Sequence, residues 1–193
     1  SEIEDGVHDL WISLTCYVNP SPWWLQWANS VWIQCTADQA DAGSSSSKMD
    51  RQLTYRDACY YDFINNHEFQ FPLEHLYNHD PVYGREGTGM NINTATDEQF
   101  QNYLYMMSTR GSAFWELYYS DSIMTEGKYE VTSEFLQWAE ENHHILQNAK
   151  MFGGSPNTGT SLGGNGGGEN NTYGFSAFDG TDGILSMRNP STE

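Results

Sequence analysis

Short unbroken apolar runs alternate along the first 150 residues with longer segments whose apolar positions recur every three or four residues. That is the pattern of buried parallel strands joined by helices. Residues 10–17 (LWISLTCY), 30–36 (SVWIQCT) and 114–120 (FWELYYS) each read as a strand, and 69–73 (FQFPL) as a weaker one broken by Pro72. Helical spacing is found at Leu53, Ala58, Tyr61 and Ile64 within 49–66. A second helix is predicted after Thr96, which forms a capping box with Gln99; Phe100, Tyr103, Leu104 and Met107 make its apolar face and Gly111 stops it. A third is predicted over about 133–150, with Phe135, Trp138, Ala139, Ile145 and Leu146 inward and Gly153-Gly154 as its stop.

From Gly153 the pattern is lost. The tract 153–172 is mostly glycine, asparagine, serine and threonine, too poor in apolar side chains to order itself, and is expected to be a linker or long loop. Residues 173–193 alternate apolar and polar positions about Asp-Gly-Thr-Asp-Gly, a β-hairpin signal. A complete (β/α)8 barrel takes about 250 residues and eight strands, whereas only three or four strands precede the glycine-rich tract. The expected fold is therefore α/β, with residues 1–152 as the C-terminal part of a (β/α)8 TIM barrel. Residues 153–172 follow as linker or loop, and 173–193 as the first hairpin of an antiparallel β-sandwich domain. The remaining half of the barrel is expected in another segment or chain.

Composition narrows the function. A 193-residue chain with 38% hydrophobic and 15% aromatic residues can build a packed core. Its formal charge of −18, from 26 acidic against 8 basic residues, argues against nucleic acid and against an anionic membrane surface, because both need clustered Lys and Arg. No apolar run reaches the roughly 20 residues of a spanning helix, and residues 1–11 lack the basic start and apolar stretch of a signal peptide. Cys16, Cys35 and Cys59 are widely spaced with no C-x-x-C, so neither a disulfide framework nor a zinc site is indicated, and small buried thiols are expected.

Two clusters carry candidate chemistry. Trp23, Trp24, Trp27 and Trp32 lie within ten positions after a Pro-stiffened loop that follows the first strand. Flat aromatic faces of this kind stack on sugar rings, although tryptophans also simply pack beneath a barrel. Asp38 and Asp41 follow the second strand, and the C-terminal ends of barrel strands carry active sites. A carboxyl group beside apolar aromatic surface suits a general acid donating to a glycosidic oxygen, while D-x-x-D also serves as a turn or helix cap. His67, His75, His79 and Asp80 match no metal-binding signature, so no metal and no cofactor is expected, and His79-Asp80 is read as a hydrogen-bonding pair near a pocket.

The runs NPSPWWLQWANSVWIQCTADQADAG, QLTYRDACYYDF, FQFPLEHLYNHDPVYG, RGSAFWELYYS and YGFSAFDGTDGILSMRNPS, in that order, resemble bacterial glycoside hydrolases of the α-galactosidase (melibiase) and α-N-acetylgalactosaminidase superfamily. The resemblance implies a catalytic (β/α) barrel followed by a β-sandwich, and cleavage of terminal α-galactosyl or α-N-acetylgalactosaminyl residues with retention. It makes Asp38 the acid/base and Asp41 a supporting carboxylate. Cys16, Asn19 and Trp23 become sugar-contacting candidates, beside Trp24 and Trp32 of the tryptophan cluster, with Arg56, Asp57, His79 and Asp80 at the rim. Its nucleophilic aspartate belongs to an earlier strand outside this chain. The implied partner is a carbohydrate substrate, and the implied location is secreted or at the cell surface, with the cytoplasm as the alternative. An endo-α-N-acetylgalactosaminidase acting on mucin-type glycans and a non-catalytic carbohydrate-binding piece are the competing functions.

Overall fold

The computed structural model describes residues 10–15, 21–32, 45–61, 64, 72–77, 82–84, 94–111, 114–153 and 172–190. Three short parallel strands, β1 (Ser13–Leu14), β2 (Ser30–Trp32) and β3 (Leu76–Tyr77), lie side by side in chain order. A second parallel pair joins β4 (Val82–Gly84) to β5 (Tyr118–Tyr119). Parallel neighbours need crossover connections. Helix α1 (Lys48–Tyr61) lies in the chain between β2 and β3, and α2 (Asp97–Ser108) between β4 and β5. Among the described residues these strands form two separate parallel sheets and no closed barrel.

Each helix shows a local cause. Thr96 accepts a hydrogen bond from the Gln99 N–H while the Gln99 side chain accepts from the Thr96 N–H, so the capping box starts α2 as expected. Gly111, at φ 84°, ends it in the left-handed region, where an added Cβ would stand 2.8 Å from the Ala149 Cβ. Helix α3 (Glu126–Leu146) begins seven residues before its expected start, because Thr125 caps it through the Lys128 N–H. It also ends earlier. Lys150, expected as the last residue of this helix, instead opens strand β6 (Lys150–Gly153), antiparallel to β7 (Tyr173–Phe178), which in turn pairs with β8 (Gly183–Arg188). The weak strand expected over 69–73 falls partly outside the described residues; Leu73–His75 is a 3-10 turn and the strand follows it at Leu76.

The hairpin itself forms as expected, closed by Asp179, whose carboxylate accepts from the Thr181 and Asp182 N–H groups at 2.8 Å each. It shares the main core rather than standing apart. Tyr173 and Phe175 of β7 are buried with Leu53 of α1, Phe100, Leu104 and Met107 of α2, and Phe135 and Leu146 of α3. A smaller core joins Val31 of β2 and Leu76 of β3 to Cys59 and Tyr60 of α1, with Trp24 packed against it.

Gly174 permits the close pairing of β7 and β8. A Cβ there would collide with the backbone oxygen of Ser186 and come within 2.8 Å of the Phe152 ring. Gly174→Ala is therefore expected to destabilise the protein by roughly 3 kcal/mol, since backbone cannot yield as a side-chain tip can. Chemical denaturation reads this; an unchanged midpoint would mean the hairpin register is not tightly held.

Candidate active-site edge and the buried polar network

Because β1, β2 and β3 run in one direction, with Leu14 beside Val31 and Trp32 beside Tyr77, their C-terminal ends share one edge. The chain leaves that edge directly into three segments: 16–20 with Cys16 and Asn19, 33–44 with Asp38 and Asp41, and 78–81 with His79 and Asp80. These six candidates lie outside the described residues.

The opposite edge is closed by Asn29. Its side-chain oxygen accepts from the Ile12 N–H at 2.8 Å, its N–H donates to the Ile12 carbonyl at 2.8 Å, and its own carbonyl lies 2.8 Å from His75 Nδ1. A hydroxyl pair, Ser13 and Ser30 at 2.7 Å, continues the tie between β1 and β2.

This polarity sorts the tryptophans. Ser21 caps a 3-10 turn over Pro22–Gln26, which carries the first two and leads into Trp27. Trp23 packs edge-on to Trp24, with centroids 4.6 Å apart, and tilted on Trp27 at 4.1 Å. Trp24, half-buried, packs against the smaller core, while Trp23 and Trp27 are 52% and 47% exposed. Trp27 precedes Asn29 by two positions and so belongs to the closed edge. Trp32, half-buried, is the last residue of β2 and stands at the edge from which the carboxylate-bearing segments depart.

Arg56, expected at a pocket rim, is instead 1% exposed on α1, with its guanidinium 5.7 Å from the centre of the Tyr55 ring. Its neighbour Asp57, expected at the same rim, is instead 0% exposed and anchors a buried network that no sequence spacing indicated. The Asp57 carboxylate is fully buried and accepts from Arg110 Nε at 2.6 Å on one oxygen and from the Tyr173 hydroxyl on the other. Arg110 also lies over the Tyr60 ring at 5.5 Å. A second arginine, Arg188 at the end of β8, donates to the Asp50 carbonyl at 2.6 Å and to Thr54 Oγ1 at 2.8 Å. Helix α1 is thus held at two levels, by Arg110 from beyond α2 and by Arg188 from the hairpin. A carboxylate so enclosed has no access to substrate, and its role is structural.

Burial, and then the Asp57 charge, push the Tyr173 hydroxyl well above its ordinary value near 10. A raised folded-state pKa gives stability that is complete below pH 10 and lost as pH rises beyond it. The resistance of the wild type to urea is expected to fall steeply above about pH 10. Tyr173→Phe is expected to cost about 1–3 kcal/mol at neutral pH, from the unmet Asp57 acceptor, and to show a shallower alkaline decline. Parallel alkaline limbs in both proteins would contradict this role.

Cys59 is buried as expected but is disulfide-bonded rather than a free thiol, which corrects the expectation of no disulfide at this position. With three cysteines in the chain, its intrachain partner is Cys16 or Cys35. Both of these cysteines lie outside the described residues. Thiol titration in denaturant should find one thiol per chain before reduction and three after; three from the start would exclude the bond.

Among the described residues no group of three or more His, Cys, Asp or Glu is arranged to hold a metal, and no helix is long and apolar enough to cross a membrane. The chain matches no family model, no curated protein and no solved structure.

Proposed function

We propose that this chain forms part of a retaining glycoside hydrolase that removes terminal α-galactosyl or α-N-acetylgalactosaminyl residues. Asp38 is the general acid/base in this reading, and the nucleophilic aspartate is contributed by the rest of the barrel. One observation carries it: three neighbouring parallel strands in consecutive order, whose shared C-terminal edge opens into the segments bearing Asp38, Asp41, His79 and Asp80. In parallel α/β folds that edge is where ligands and catalytic groups gather. Consecutive order is also what a barrel segment requires. Trp32 at the same edge supplies an aromatic surface for a sugar ring and an apolar neighbour of the kind that keeps a carboxylic acid protonated. The disulfide on Cys59 fits a secreted or cell-surface protein.

In the first step Asp38 donates its proton to the departing glycosidic oxygen as the nucleophile closes on the anomeric carbon. In the second it takes a proton from water, which attacks the glycosyl-enzyme from the side the leaving group left. Two inversions give retention.

The test uses the full-length polypeptide with 4-nitrophenyl α-galactoside and the corresponding α-N-acetylgalactosaminide, followed by proton NMR of the first product. The α-anomer should accumulate before mutarotation. The β-anomer first would overturn retention, and no release from either substrate would overturn exo-cleavage. Release of an intact disaccharide from an aryl glycoside of a mucin-type disaccharide, with the monosaccharide substrates untouched, would mark an endo-enzyme.

A further inference from the structure

A groove of about 670 Å³ lies between the N-terminal part of α1, one face of α2, Trp138 of α3 and strand β8, and none of its lining belongs to the strand-end segments. One wall is aromatic. Half-buried Tyr105 and Trp138 meet with ring centroids 4.7 Å apart and planes inclined at 50°. Another wall is polar and built rather than incidental. Arg188, its side chain 12% exposed, is fixed by the Asp50 carbonyl and Thr54 and lies 3.4 Å from the Asp50 carboxylate. The other carboxylate oxygen of Asp50 accepts from Ser45 Oγ at 3.0 Å. Asn102 adds an exposed side-chain amide at the groove.

This lining selects by chemistry. The volume falls in the range of small-ligand sites. An anion would face Asp50 and a chain of net charge −18, and a cation would face Arg188. A purely apolar ligand would strip water from both charges without replacing their hydrogen bonds. A neutral polyhydroxylated ring meets each demand: its C–H face lies on Trp138 and Tyr105, and its hydroxyls donate to Asp50 and accept from Arg188 and Asn102. We propose that this groove is a second saccharide site, taking a neutral oligosaccharide of two or three rings and acting apart from the strand-end chemistry. A site of this kind would hold the protein on a glycan while another end of that glycan is processed, and it stands on its own lining whether or not the chain is catalytic.

The experiment is nitrogen–proton correlation NMR of the protein titrated with lactose and with maltotriose, neither of them an α-galactoside, with sialyllactose as the charged comparison. The Trp138 indole N–H and the Asn102 amide should shift with both neutral sugars, at a Kd on the order of 1 mM, and respond less to sialyllactose. Trp138→Ala should weaken binding at least tenfold and Trp138→Phe less, with aryl α-glycoside turnover unchanged in both. Asp38→Asn should leave these shifts intact, which separates this site from the proposed active site. Absence of shifts at Trp138 and Asn102 with either neutral sugar, or equal binding by wild type and Trp138→Ala, would overturn the proposal.

Discussion

Asp57→Ala is expected to destabilise the protein by about 3–5 kcal/mol, the range for removing one partner of a buried ion pair. The loss is large because of what remains. Arg110, 1% exposed, would keep its charge with no carboxylate beside it, and the Tyr173 hydroxyl would lose its acceptor in a closed space. Domains of this size are commonly stable by about 5–15 kcal/mol, so the variant should lie near the limit of folding. Replacing both charges, Asp57→Leu with Arg110→Met, should recover much of the loss, because it removes the uncompensated charge along with the pair. Urea midpoints of the three proteins decide this. A single variant as stable as wild type would mean that water reaches the pair and that the network does not fasten α1 to the hairpin.

Asp38→Asn is expected to lower kcat on aryl α-glycosides with poor leaving groups by about a thousandfold. Positioned acid/base groups contribute roughly 10²–10⁴ in rate, and an amide can neither give the departing oxygen a proton nor activate water. The pH profile should change with it. The alkaline limb of kcat/KM, which reports ionisation of the acid in the free enzyme, should be lost in the variant. Near-normal turnover, or an unaltered alkaline limb, would move the acid/base role to another residue; Asp41, three positions on, is the first to examine.

Local signals in the sequence are met in the fold. The Thr96–Gln99 capping box, the Gly111 stop and the Asp179–Gly183 turn each depend on a few adjacent residues, and each forms. What the sequence concealed is non-local or short. The strand Lys150–Gly153, at the expected end of the third helix, has its backbone partners in β7 across the glycine-rich tract, a pairing that no local pattern marks. Strands β3 and β4, of two and three residues, are below the length at which alternation can be seen. The early start of α3 could have been found at Thr125, a helix-capping residue, but Gly127 and few apolar side chains dilute the pattern there.

The site divides in the same way. That Asp38 follows a strand is legible because β2 is an apolar run, and the parallel order of β1, β2 and β3 adds the shared edge. That Trp24 packs against the smaller core and that Arg56 and Asp57 are buried was not legible, since such side chains carry no mark of which face they will occupy. The Asp57–Arg110–Tyr173 network joins residues 53 and 116 positions apart, and no spacing rule finds it.

The assignment of Asp38 is tested most directly by turnover of aryl α-galactosides with graded leaving groups, with and without azide, in the wild-type full-length polypeptide and in Asp38→Ala. A leaving group that needs no proton bypasses the first role of the acid/base, and azide, a nucleophile that needs no deprotonation, bypasses the second. The variant is therefore expected to lose about a thousandfold on phenyl α-galactoside and far less on the 2,4-dinitrophenyl substrate. With azide it should recover turnover and release α-galactosyl azide. Equal losses on both substrates with no azide product, or wild-type rates on the phenyl glycoside, would contradict a catalytic Asp38.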